Sequence, residues 1–124
     1  MNKSSRYLFF SILIYVGFSG SPVNAQQVKV NGTWNLSVQT SLGNGTPTFV
    51  FKHETETTFT GTYSGQLGSA NVKGTVKGNE VQFEFTIENS LIEYKGTVEG
   101  NTMKGTVKLG TQAEGTFSGN RKVE

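Results

Sequence analysis

The chain has 124 residues, with 11 Lys+Arg against 9 Asp+Glu, a single His and no Cys. The missing cysteine excludes thiol catalysis, thiolate zinc sites and a disulfide framework. The near balance of charge excludes the Lys/Arg surplus that phosphate neutralisation demands, so no nucleic-acid partner is expected.

Residues 1–25 have the form of a cleaved signal peptide. Lys3 and Arg6 supply positive charge, Tyr7 to Phe18 is an apolar run, and small residues end at Val23-Asn24-Ala25. That run is too short for a bilayer, which asks for about 20 residues. Cleavage after Ala25 leaves residues 26–124 as one domain, long enough for one core and not two. It removes two cations and leaves nine charges of each sign. The expected location is export, to a bacterial periplasm or beyond the cell, with no stable membrane insertion after cleavage. All nine acidic residues are Glu, so calcium loops built on repeated Asp have no material.

The remaining text divides into eight candidate strands of alternating character. Residues 33–40 set Trp34, Leu36 and Val38 on one face. A loop from Ser41 to Thr46 follows, and Pro47 opens residues 48–53, with Phe49 and Phe51 inward and His53 in the same phase at the strand end. Residues 57–64 bury Phe59, Gly61 and Tyr63. Residues 70–77 bury Ala70, Val72, Gly74 and Val76, and Gly78-Asn79 forms a hairpin turn. Residues 80–88 bury Val81, Phe83, Phe85 and Ile87 before a turn at Asn89-Ser90. Residues 91–99 bury Ile92, Tyr94, Gly96 and Val98, and Gly100-Asn101 repeats the hairpin. Residues 102–109 bury Met103, Gly105, Val107 and Leu109. After Gly110-Thr111-Gln112, residues 113–121 place Ala113, Gly115, Phe117, Gly119 and Arg121 in phase.

Every connection is short, so neighbours pair antiparallel. Eight strands in a meander leave no edges only if the sheet closes. The expected fold is all-β, a single eight-stranded antiparallel up-and-down β-barrel. A triplet Gly-Thr-apolar recurs at Gly32, Gly61, Gly74, Gly96, Gly105 and Gly115. From the second copy on its Gly shares the apolar face. Two structural uses are open, sharp coiling of a small barrel or aromatic rings laid over bare backbone, and a third reading has the glycines hollow out a lumen for a ligand. Strands this short, with Gly on the apolar face and no aromatic terminus, do not fit a membrane barrel.

Gly32-Thr33-Trp34 opening the first strand resembles the Gly-x-Trp of the calycin superfamily, which holds lipocalins, fatty-acid-binding proteins and avidins. The resemblance implies that Arg121 on the last strand packs across the Trp34 ring and closes one end, with Gly32, Trp34 and Arg121 as the closure set. A guanidinium over an indole contributes roughly 0.5–2 kcal/mol. Phe59-Thr60-Gly61-Thr62-Tyr63 looks like the third-strand segment of avidins, whose Tyr faces the ligand. Only Tyr63 carries over: Trp34 is the sole tryptophan and Gly65 stands where that pattern has a hydroxyl, so the likeness does not extend to biotin. The chain also looks like short all-β domains of unassigned role in secreted bacterial proteins.

No constellation dictates a chemistry. His53 has Glu54 and Glu56 beside it but no positioned nucleophile, and it reads as solvated strand-end charge. One His and scattered Glu do not make a metal site, and no cofactor is expected. The reading is therefore a non-catalytic barrel, not an enzyme, binding a small apolar or amphipathic ligand in its mouth. The inward aromatic set Phe49, Phe51, Tyr63, Phe83, Phe85, Tyr94 and Phe117 would line that lumen. The alternative is a solid-core module that binds a protein or glycan partner through its loops. Interior volume separates the two, because an eight-stranded barrel is either filled by side chains or holds one small ligand.

Overall fold

The computed structural model of the protein describes residues 27–123, so the expected signal peptide lies outside the described residues. Nine strands build one sheet: β1 Gly32–Thr40, β2 Gly43–Gly45, β3 Thr48–His53, β4 Thr58–Gly65, β5 Gly68–Lys77, β6 Glu80–Ile87, β7 Ser90–Glu99, β8 Thr102–Leu109 and β9 Ala113–Arg121. No helix occurs among the described residues. All neighbours pair antiparallel, and β9 returns to β1 along a ladder from Gly115–Thr40 to Arg121–Trp34. That last pairing closes the cylinder and leaves β2 as a small extra strand on β1. The eight expected strands are all present, within two residues of their expected bounds.

Two local departures have clear causes. Within the Ser41–Thr46 loop, Gly43–Gly45 pairs back on β1 as β2, because Thr40 Oγ1 donates to the Gly43 carbonyl and accepts from Leu42 N–H. The expected Asn89-Ser90 turn lies one residue earlier. Glu88 and Asn89 take positive φ of 51° and 67°, and Ser90 already pairs with Ile87. Positive φ is common for Asn and rare for Glu, which hid the shift.

The apolar phase of every strand faces inward, and the polar phase faces water. Trp34, Phe49, Phe59, Phe83, Met103 and several valines are fully buried, and among the described residues no charged residue is buried. This polarity is the reverse of a lipid-facing barrel. The one ion pair among the described residues, Lys73 with Glu84 at 4.0 Å, is exposed and contributes little.

Both structural uses of the repeated glycine occur. Gly96 and Gly105 face each other across β7 and β8, and a methyl group on Gly105 would overlap the Lys95 carbonyl oxygen. The backbones come so close only because the wall coils tightly. Rings also lie on bare backbone: Phe59 on Gly74 and Phe117 on Gly96.

The wall has one flaw. The ladder between β5 and β6 stops at Lys73–Glu84, although β5 runs back to Gly68 and β6 on to Ile87. The divergence forms an outer crevice of about 930 Å³ beside Thr60, Asn71, Lys73 and Glu84. It opens on the polar face.

Candidate functional site

The turns at 54–57, 78–79 and 100–101 gather at one end of the cylinder, and the loops at 41–47, 66–67, 88–89 and 110–112 at the other. The first end is sealed. Residues 27–31 cross it as a strap: Val28 N–H donates to the Gly78 carbonyl at 3.0 Å, and Gly78 N–H donates to Gln27 Oε1. Val30 is fully buried beneath, and its carbonyl accepts from Trp34 Nε1 at 2.9 Å.

Arg121 locks this end. Its guanidinium carbon sits 4.7 Å from the centre of the Trp34 ring. Nη1 donates to the Lys29 and Asn31 carbonyls, Nη2 to the Gly100 carbonyl, and Nε to Asn101 Oδ1, all within 3.0 Å. Burial lowers its pKa, yet a guanidinium stays charged in proteins. Gly32 takes φ +122°, a conformation natural to Gly alone, and the stem of Arg121 passes over it. Gly32, Trp34 and Arg121 thus form one structural unit.

His53 belongs to the seal. Its Nε2 accepts from Val30 N–H at 3.0 Å, so Nδ1 carries the proton and donates to the Thr55 carbonyl at 2.9 Å. Its own N–H donates to Asn31 Oδ1. The reading of His53 as solvated strand-end charge is corrected: the ring is half-buried and holds the strap. Glu54 turns instead to Thr60 Oγ1. The strap escaped sequence reading, although Val28 and Val30 carry the right alternation in front of the first strand.

The barrel's interior is filled by aromatic rings. Phe49 is the hub, its centroid 5.1 to 6.0 Å from those of Phe51, Tyr63, Phe83, Phe85 and Tyr94. Phe117 packs on Tyr94 at 5.0 Å, and Phe83 stacks on Tyr94 at 4.8 Å. The structure thus brings all seven lumen candidates into one cluster. Of the seven, Tyr63, Phe85 and Tyr94 line the cleft between the loops at 41–47 and 66–67; Phe49, Phe51, Phe83 and Phe117 do not.

That cleft is the mouth. Its volume is about 170 Å³, with Val38, Ile92 and Leu109 on the wall and Leu42, Pro47 and Leu67 on the rim. Ile92 and Leu109 were legible as inward residues, but height along the barrel axis is not encoded by alternation. Tyr63 stacks on Phe85 at 4.3 Å, and its hydroxyl accepts from Leu67 N–H at 3.3 Å. A side chain on Gly65 would collide with that hydroxyl. The position where the avidin pattern has a hydroxyl residue is therefore needed bare.

Tyr94 differs from Tyr63. It is 3 % exposed, and its hydroxyl has no hydrogen-bond partner among the described residues. Burial first, and the neighbouring Tyr63 second, push its pKa up. The phenol therefore stays protonated as a donor. Among the described residues no group of three or more His, Cys, Asp or Glu is placed to hold a metal ion.

No protein-family model matches the chain, and no curated protein matches it in sequence. Among solved structures it is similar to EF1p2_mFAP2b bound to DFHBI, at 17% identity and TM-score 0.64, covering 74% of this chain and 93% of that one. A redesigned β-barrel, b11L5F_LGL, shares 15% identity at TM-score 0.65, covering 75% of this chain and 91% of that one. The redesigned β-barrel mFAP0, bound to DFHBI, shares 15% identity at TM-score 0.59, covering 73% and 97%. At these identities the likeness is one of fold. With the Trp34–Arg121 closure, that fold is a calycin-like barrel.

Proposed function

We propose that the protein is an exported, non-catalytic binding barrel whose mouth takes one compact, apolar molecule carrying a hydrogen-bond acceptor. The observation that carries this reading is the Tyr94 hydroxyl, buried at the cleft without a hydrogen-bond partner among the described residues. Buried polar groups are nearly always satisfied, and an orphan costs roughly 1–3 kcal/mol. An acceptor on a bound molecule would remove that cost. Tyr63 and Phe85 offer a stacked pair for its apolar part.

Size limits the ligand. Drug-sized pockets run to roughly 300–1,000 Å³, while a cavity of roughly 150 Å³ holds benzene. The 170 Å³ mouth suits a single ring or a short branched chain. That the same fold holds DFHBI in EF1p2_mFAP2b supports the use of such a barrel for one small molecule.

Native mass spectrometry of protein purified from its own host tests the reading. A retained mass of one small molecule is expected, lost in Tyr94→Phe. A bare polypeptide under several gentle extraction conditions would overturn it. The filled interior favours a second reading, a solid-core module that binds a protein or glycan through its loops. Under that reading Tyr94→Phe changes nothing.

A further inference from the structure

The two ends of the barrel differ in charge as well as closure. The mouth loops at 41–47, 66–67, 88–89 and 110–112 hold one ionisable residue, Glu88. The sealed end carries Lys29, Glu54, Glu56, Arg121 and Lys122 at its strap, turn and strand ends. Exposed apolar side chains follow the opposite distribution. Of the five large exposed hydrophobics among the described residues, Leu42 (64 %), Leu67 (49 %) and Leu91 (40 %) lie at the mouth end. Leu42 and Leu67 both rim the cleft.

Their display is built rather than incidental. Thr40 Oγ1 accepts from Leu42 N–H and donates to the Gly43 carbonyl, which fixes the turn with Leu42 at its tip. Tyr63 Oη accepts from Leu67 N–H across the bare Gly65, which fixes the second tip. Two leucines held in water on a surface whose loops carry a single ionisable residue have apolar transfer free energy in hand.

We propose that the mouth end docks reversibly on an electrically neutral lipid surface, with Leu42 and Leu67 entering the headgroup–acyl boundary. A protein partner fits less well, because these loops together hold fewer residues than the roughly 20–30 a side of a stable interface. An anionic membrane fits less well too, since the surface lacks the Lys/Arg cluster that draws proteins to acidic lipid. Two leucines give weak, reversible attachment rather than insertion. The proposal rests on the mouth as binding site only for its purpose: docking brings the cleft to the phase where apolar molecules dissolve.

Flotation with phosphatidylcholine vesicles tests it on the purified protein. The wild type is expected to float with the vesicles, and Leu42→Ser/Leu67→Ser to lower the bound fraction at least about tenfold. Neither added salt nor added phosphatidylglycerol should change the result much. As a second readout, Leu67→Trp should shift to shorter emission wavelength on vesicle addition, while Trp34, buried at the sealed end, stays silent. Absence of both flotation and shift overturns the proposal. So does equal flotation of the double variant, attachment that needs acidic lipid and disappears in salt, or self-association through the leucines in place of vesicle binding. Tyr94→Phe separates this from the ligand reading, because Tyr94 is buried below the rim. Flotation of Tyr94→Phe equal to wild type leaves the docking assignment standing, and flotation lost in that variant overturns it.

Discussion

The sealed end and the mouth are built from the same strands, yet they treat polar groups in opposite ways. At the seal, three guanidinium nitrogens, both His53 ring nitrogens, the Trp34 indole N–H and the strap backbone are mutually satisfied. At the mouth, a buried phenol is left over and leucines stand in water. The difference separates stability from function. A saturated network holds shape and has nothing to offer a ligand, whereas an orphan donor costs stability and is worth keeping only for what it meets.

The contrast can be attacked first where the effect is largest. Trp34→Ala removes the ring under Arg121 and should destabilise the fold by about 3–5 kcal/mol. Denaturant unfolding would check this, and a loss under 1 kcal/mol would mean that the seal is not the anchor. His53→Ala leaves Val30 N–H without its acceptor and should cost about 1–2 kcal/mol. Faster amide exchange over residues 27–31 should accompany it, with the mouth loops unchanged.

Alkaline titration comes next. The folded Tyr94 phenol ionises at higher pH than it does unfolded, so its contribution is complete below the ordinary phenol range near 10. It is lost as pH rises through the folded value. Thermal melts from pH 8 upward should therefore fall above about pH 10, and fall less steeply in Tyr94→Phe. Smallest is Tyr94→Phe itself at neutral pH, where stability should stay within about 1 kcal/mol of wild type or rise, since only an unpaired hydroxyl goes. Affinity for the retained molecule should drop about tenfold. A clear loss of stability would show that the hydroxyl is satisfied in solution and sink the comparison.

Most of the fold was legible because period-two alternation runs almost unbroken from Trp34 to Arg121, with glycine turns marking hairpins at 78–79 and 100–101. Antiparallel pairing followed from the absence of any long connection, and closure from the edges that an open meander would leave. What failed to show was local or three-dimensional. The Thr40-centred bonds that create β2 depend on a hydroxyl rotamer, and the Glu88 turn on a conformation Glu seldom takes. His53 looked solvated because its partner Val30 lies 23 positions away, in a segment that pairs with no strand. The mouth was half legible. Tyr63, Phe85 and Tyr94 were in the inward set, but alternation gives a face and never a depth, so they could not be parted from Phe49 or Phe51.

Closing β9 against β1 has a practical side. Lys122 N–H still donates to the Thr33 carbonyl at 2.7 Å, and Gln27 reaches the Gly78 turn, so both ends of the described chain emerge at the seal. Anything fused or tethered at either end hangs from the barrel floor. Anchored to a chip by that floor, every molecule would present its leucine rim outward, in one orientation.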